Sequence, residues 1–401
     1  MISKSNRLMG AILLIAGTTI GAGMLALPVT TGQAGFFPSL LMMTALWLFM
    51  MLTAFYLLEV NLRMKGESNI ISMVRLTLGR PGEIISWIVY LLLLYALTAA
   101  YIVGCSQILE ELLSSWISYT IPTQFFSIAV FIIFSLLVYC GTVAVDFLNR
   151  FFMIGLIGAY IAMLSMSIFK ISSPLLLHAD FKFLLPSLSV MATTFGYHII
   201  IPTLTTYLEH DVKSLKKAIF IGSLIPFIVY LLWQLLVMGI VPVYGENSLS
   251  EVSIAGSQIT FSLHAILHNR WIGLFLRAFA FFAIVTSLLG VSLSLSDFLA
   301  DGLKIKKTSF GKFFLVMMTF IPPLLFALFY PQGFIAALKY AGICVIILLA
   351  LLPSAMAYLE RYGRQTTRSM IKSQFQVFGG RVGVVLTLIV SLILLAIEVL
   401  V

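Results

Sequence analysis

The stretch Gly17-Thr18-Thr19-Ile20-Gly21-Ala22-Gly23-Met24-Leu25-Ala26-Leu27-Pro28 decides how this chain is to be read. It lies inside an apolar run long enough to cross a bilayer, yet Gly17, Gly21, Gly23 and Pro28 interrupt it. Each glycine weakens a helix by roughly 1 kcal/mol relative to alanine. The hydroxyls of Thr18 and Thr19 offer partners to backbone groups that lose their helical ones. The stretch predicts a transmembrane helix broken around Gly21-Ala22-Gly23. Gly17 and Gly21 also have the GxxxG spacing of ordinary helix packing, so this helix alone does not establish function.

The interruption recurs in Thr193-Thr194-Phe195-Gly196-Tyr197-His198-Ile199-Ile200-Ile201-Pro202. A proline in a helix interior costs about 3 kcal/mol or more. The two stretches fall in the first and sixth of about eleven apolar runs, near 8–33, 37–62, 84–109, 124–141, 151–169, 186–208, 218–241, 271–300, 313–330, 334–358 and 382–401. Runs this long and this apolar must be helices, because lipid offers backbone groups no partners and barrel strands are shorter and alternate. The predicted fold class is all-α integral membrane, a single polytopic unit over 1–401. Runs one and six begin two five-helix halves, about 8–169 and 186–358, with an extra helix at 382–401. Five is odd, so the halves are inverted relative to each other. Paired breaks at matching positions of inverted repeats point to the binding site of a transporter.

Composition agrees: 61% of residues are hydrophobic, 10% are charged, and the mean hydropathy is +1.10. A soluble domain needs more charge than this to cover its surface. The excess of basic residues lies in short connections, so membrane topology explains it and nucleic acid is not implied. Alternate connections carry most of the Lys and Arg, among them Lys4, Arg7, Arg63, Lys213, Lys216, Lys217, Lys304, Lys306 and Lys307. The opposite connections carry only Lys170, Lys182 and Arg270. The asymmetry predicts a cytoplasmic N-terminus and a periplasmic C-terminus. Lys4 and Arg7 before an apolar run could mimic a signal peptide, but the run is long and has no clear cleavage site, so it reads as a retained first helix. The basic, amphipathic segment 63–83 is expected to lie along the inner surface. The basic segment 361–381 is expected to set topology or touch anionic lipid. Cys105, Cys140 and Cys344 lie in apolar runs without zinc or redox spacing.

Breaking the helices has a chemical use. Amide N–H groups freed near Ala22 and Gly23, at the start of a half-helix, can hold a carboxylate, worth up to about 2 kcal/mol when partly buried. Carbonyls freed at the ends of the preceding half-helix and of the first half of span six can hold an ammonium. A zwitterion needs both close together, and glycine lets it approach the backbone.

At these residues the chain resembles the hydroxy/aromatic amino acid permeases, within which it looks most like the tyrosine-specific proteins of bacteria. The likeness rests on the stretch 16–28, Leu57-Leu58-Glu59-Val60, Phe195-Gly196-Tyr197-His198 with Pro202, and Thr286-Ser287-Leu288-Leu289-Gly290 leading to Asp297-Phe298-Leu299-Ala300-Asp301. It covers essentially the whole chain. The resemblance implies a LeuT-type fold, ten helices in two inverted halves plus an eleventh, with proton-driven symport across a bacterial inner membrane. It implies import of an aromatic amino acid, tyrosine first and tryptophan second. Where the family pattern has small residues after the histidine, this chain has Ile199-Ile200-Ile201, which narrows the pocket.

The expected substrate wall is Thr19, Ile20, Gly21, Ala22, Gly23, Thr194, Phe195, Gly196, Tyr197 and His198, with Tyr95 from span three. His198 can be a pocket wall or proton acceptor, or simply structural. Thr286 and Ser287 fall where the LeuT-type fold faces the span-one break. With carbonyls of Gly17, Ile20 and Ala283 they would suit sodium, although such hydroxyls also bond their own helix. Glu59 is a candidate for gating or proton transfer, and Arg277 and Lys339 are explained by snorkelling. His264 and His268 have metal-like spacing without a third ligand. No cofactor, obligate protein partner or catalytic pattern is indicated. The rival readings are a sodium-coupled amino-acid symporter, a serine/threonine or branched-chain amino-acid permease, and, from another class, an ion channel. A channel should show pore loops or charged rings, and neither is visible.

Overall fold

The computed structural model describes residues 4–64, 68–114, 122–363 and 375–400, and among these every regular element is helical. Lys65, Arg364, Arg368 and Lys372 of the basic connections lie outside the described residues. Among the described residues ten helices are long and apolar enough to cross a membrane, and the bent pair Lys4–Thr19 and Gly23–Thr31, with 54° between its halves, makes an eleventh when taken as one span. The chain is a multi-pass membrane protein. Span two is Phe36–Asn61, span three Ile70–Ser114, span four Thr123–Cys140 and span five Thr142–Ser167. Span six runs through Leu188–Thr194 and Ile201–Tyr207, and span seven is Val212–Ile240. After the short helices Leu249–Ala255 and Ile259–Leu267 come span eight, Arg270–Leu303, and span nine, Ser309–Phe329. Span ten is Phe334–Val345 continuing to Leu352–Tyr362, and span eleven is Gly380–Leu400.

Three spans show detail beyond the sequence reading, each for a physical reason. The helix Ile70–Ser114 is two pieces: the amphipathic segment forms an arm that turns at Gly79, with φ 74° and ψ −164°, into span three proper, close to its expected start. That backbone conformation is cheap only for glycine. Span five begins at Thr142, well before position 151, because Asp146 and Arg150 pair at 2.8 Å one turn apart and keep a polar stretch helical. Span ten carries a π turn over Ile346–Leu351 just before Pro353. Proline lacks the N–H that an α turn requires and its ring crowds the preceding turn, so the helix widens there.

Small residues let the elements near the two breaks approach closely. A Cβ on Gly222 of span seven would lie 2.7 Å from the Cβ of Ile15 in span one. A Cβ on Gly23 would lie 3.1 Å from Thr194 Cγ2, so the broken parts of spans one and six face each other. On the face of the N-terminus, Lys4 Nζ pairs with Asp211 at 2.7 Å and Arg7 with Glu209. Asp211 also caps span seven by accepting from the backbone N–H of Lys213 at 3.1 Å.

Glu59, fully buried, is the joint between spans two, ten and eleven. It accepts from Arg361 Nε at 2.7 Å, from a second nitrogen of the same guanidinium, from Arg63 at 3.2 Å, and from the Val377 N–H at 2.8 Å. Arg361 also donates to Val377 O at 3.1 Å and lies over the Tyr56 ring at 5.4 Å. Arg63 reaches Glu360 at 2.5 Å. Glu59 therefore offers no free carboxylate in this structure; its lone pairs are spent on holding three elements together.

Two predictions follow from these contacts. Glu59→Ala strands a buried guanidinium, a change worth about 3–5 kcal/mol, and is expected to lower the thermal unfolding midpoint in detergent sharply. A drop no larger than that caused by Asp146→Ala, whose ion pair is exposed, would contradict the joint. For Asp211, the bonds from Lys4 and Ser214 hold the carboxyl down to about 2 from its ordinary 3.8. A depressed carboxylate stabilises above its unfolded value, and the contribution is lost as pH falls through the folded one. Hydrogen-exchange protection in the first turn of span seven is thus expected to persist at neutral pH and to decline between 3.8 and about 2. Asp211→Ala should weaken that turn at every pH, and protection indifferent to both changes would refute the cap.

Candidate functional site

The first half of span one ends at Thr19, and its second half opens with tight turns, Met24 N–H to Gly21 O at 3.2 Å and Leu25 N–H to Ala22 O at 3.1 Å. The amide of Ala22 has no partner on its own helix and donates instead to Ser287 Oγ of span eight at 3.0 Å. Ser287 sits where a side chain on Gly21 would have to go: a Cβ there would lie 2.6 Å from its Oγ. The carbonyl end of the break is met from span seven. The Tyr230 hydroxyl shares its proton between Thr19 O at 2.5 Å and Thr194 O at 3.1 Å, tying the two breaks to each other.

In span six the first half ends at Thr194, and Phe195 and Gly196 leave helical geometry, with ψ of 25° and 44°. A 3-10 turn at Tyr197–Ile200 leads into the second half, which starts at Ile201 with Pro202 in its first turn. There proline costs no hydrogen bond, so it starts the second half rather than kinking a continuous helix. The fully buried His198 ring contacts Thr53 of span two, Nε2 to Oγ1, at 2.9 Å. Thr53 gives its own proton to Met50 O at 3.0 Å, so Nε2 is the donor in this contact. The ring's Nδ1 is left without a partner.

Between the breaks lies a cavity of about 500 Å³. Of the residues expected from sequence, Gly17, Thr19, Ile20, Gly21, Gly23, Thr194, Gly196, Thr286 and Ser287 line it. Ala22 is buried behind the wall with its amide on Ser287, and Phe195, Tyr197 and His198 are buried behind span six. Tyr95 lies elsewhere: its hydroxyl donates to Met318 O at 2.9 Å, and its ring faces a separate apolar cleft between spans three, nine and ten. Span three instead presents Tyr90 and Tyr101 to the cavity. These two are three helical turns apart on one face, and Tyr95 is well round the helix from both. Sequence reasoning also missed Asn149, because span five was started too late, and Met153, which lay inside the expected span with nothing to show that it faces the cavity. Asn149 Oδ1 is a buried acceptor without a partner. Ile199 and Ile200 line the cavity, and Ile201 is buried outside its wall.

Both candidate ion-ligand hydroxyls are engaged with their own helix. Thr286 donates to Phe282 O at 2.8 Å and Ser287 to Ala283 O at 2.8 Å. Glu59 is not in the cavity wall. His264 and His268 acquire no third partner: among the described residues no group of three metal-type ligands occurs.

The cavity adjoins a second hollow toward one face of the protein. It shares Tyr90, Ile199, Ser294 and Leu349 with this hollow of about 470 Å³, whose rim carries Arg75, Glu83, Asp297 and Asp301. This is the face of the N-terminus. On the other face, Leu249 of the first short helix sits so close to Gly32 that a Cβ there would be 2.6 Å from its Cδ1. Gln107 of span three holds the same cover, donating to Gly256 O at 3.0 Å and Pro331 O at 2.9 Å.

With this geometry in view, comparisons with known proteins agree along the whole chain. The model of the tryptophan/tyrosine permease family matches residues 4–398. The tyrosine-specific transport system 2 of Haemophilus influenzae is 32% identical over 395 residues, which cover 98% of this chain and 96% of that protein. The tyrosine-specific transport system 1 of the same organism is 31% identical over 395 residues, covering 98% and 96%. Its tryptophan-specific transport protein is 31% identical over 389 residues, covering 94% and 92%. These relatives are transport proteins and not enzymes. The chain belongs to the tryptophan/tyrosine permease family.

Proposed function

We propose that this family member imports an aromatic amino acid, tyrosine first and tryptophan second, by proton symport with alternating access. The observation that carries the reading is the pair of helix breaks facing one cavity of about 500 Å³, inside the range of roughly 300–1,000 Å³ that small-molecule sites occupy. The amides of Ala22 and Gly23 take the carboxylate at the start of a half-helix. The carbonyls of Thr19, Ile20 and Thr194 take the ammonium. The ring lies among Tyr90, Tyr101, Ile199 and Ile200, and the unpartnered Asn149 Oδ1 is a ready acceptor for a phenol, which favours tyrosine.

The architecture fits a LeuT-type arrangement, two inverted five-helix halves plus an eleventh span. The basic connections put the N-terminus in the cytoplasm of a bacterium and the C-terminus in the periplasm. On that orientation the cavity opens inward, and the cover over Gly32 closes the outer path. Spans one, two, six and seven then rock as a bundle against the rest. For coupling, His198 supplies a buried lone pair within this bundle. Ala283 O receives both the Ser287 hydroxyl at 2.8 Å and the Thr286 hydroxyl at 3.2 Å, which leaves it poorly disposed toward sodium.

The test is uptake of labelled tyrosine, tryptophan, phenylalanine, serine and leucine into proteoliposomes, with proton and sodium gradients imposed separately. Saturable, proton-driven uptake of tyrosine or tryptophan is expected. Uptake of none ends the reading, and drive by sodium alone replaces the coupling ion. Gly21→Leu is expected to abolish uptake while the protein still inserts, since even its Cβ would lie 2.6 Å from Ser287 Oγ. Near-normal uptake by that variant would make the glycine a packing contact only.

A further inference from the structure

The Ser287 hydroxyl occupies the place the reading above reserves for a substrate carboxylate. It accepts from the Ala22 amide at 3.0 Å and lines the cavity, whereas Ala22 itself does not. The amide belongs to a nine-residue half-helix, Gly23–Thr31, and Ala22 precedes it without a capping side chain of its own. An amide in that position must find an acceptor, because lipid offers it none. Ser287 meets the need from span eight, across the cavity edge, through the gap that Gly21 leaves. Its proton goes the other way, to Ala283 O at 2.8 Å, so the hydroxyl presents only lone pairs to the break.

We propose that Ser287 is an internal competitor of the substrate carboxylate for the Ala22 amide, and so sets the affinity of the carrier by stabilising its empty form. The inference rests on the zwitterion reading of the cavity. A carboxylate makes the stronger, charge-assisted bond and displaces the hydroxyl. The bond lost with Ser287 is then subtracted from the affinity, in the way that any population of a non-binding form reduces it. The sign of its effect separates this role from that of a residue that holds the ligand or a coupling cation. A residue that contacts the ligand or a coupling cation weakens binding when removed. A competitor strengthens it.

Equilibrium binding of labelled tyrosine and tryptophan to the purified full-length protein in lipid nanodiscs tests this, with Ser287→Ala and Ser287→Cys beside the wild type, each in sodium and in choline buffer. Ser287→Ala is expected to lower the Kd about three- to tenfold in both buffers, and Ser287→Cys, a poorer acceptor of similar size, by less. Unchanged or weaker binding by Ser287→Ala, from a wild type that binds, overturns the inference and leaves the reading of the cavity standing. Loss of a sodium dependence shown by the wild type, together with weaker binding, makes Ser287 an ion ligand and also overturns it. Absence of saturable binding of either amino acid by the wild type overturns inference and reading together.

Discussion

A backbone group inside a bilayer has no water to turn to, and this molecule breaks two helices in that medium. Each break sets free amides and carbonyls that cost free energy unless something meets them. The architecture around residues 19–23 and 194–196 is the set of groups that do so. Tyr230 from span seven meets Thr19 O and Thr194 O with one shared proton. Ser287 from span eight meets the Ala22 amide. The hydroxyls of Thr19 and Thr194 are themselves engaged one turn back, donating to Ile15 O at 2.6 Å and Met191 O at 2.7 Å. What these partners leave open to the cavity is a polar strip in an otherwise apolar wall.

The partners differ in kind, and the difference bears on mechanism. Tyr230 is fully buried and ties span one to span six from behind, so on the proposed rocking motion it travels with both. Ser287 stands on the other side of the cavity and would part from the break when the bundle moves. Glu59 and Arg361 make a third kind of contact, remote from the cavity, that fixes span two to the ends of spans ten and eleven. The two faces are unequal as well. Toward the N-terminal face a charged hollow shares wall residues with the cavity, and toward the other face Leu249 packs on Gly32 while Gln107 bonds Gly256 O and Pro331 O.

Much of this was legible in the sequence, and the parts that were not share a cause. Glycine and proline punctuate an apolar run strongly enough to be seen, so the breaks near Gly21 and Gly196 were found, and the spans emerged from length alone. Facing was harder. A helix that is apolar all round carries no periodic signal to say which side meets a cavity. Tyr95 was therefore chosen by depth, and the tyrosines three turns apart on one face, Tyr90 and Tyr101, were overlooked. His198 was placed at the break correctly, but its ring turns toward Thr53 and away from the cavity. Glu59 was seen as an isolated charge because Arg361, its closest partner, lies 302 residues away, although Arg63, one turn on, was within reach of a helical reading. The hydroxyls of Thr286 and Ser287 were weighed as ion ligands against bonds to their own helix. The helix bonds are what the structure contains, and the bond from Ala22 to Ser287 was not foreseen, since no local pattern announces a contact at |i−j| of 265.

The central claim is that the broken backbone of span one holds the carboxylate of an aromatic amino acid. An experimental structure with tyrosine bound tests it most directly. The expected result is a carboxylate oxygen about 3 Å from the Ala22 amide, the Ser287 hydroxyl displaced from that amide, and the ring between Tyr101 and Ile199. Tyrosine seated in the apolar cleft beside Tyr95, with the Ala22–Ser287 bond intact, would contradict it.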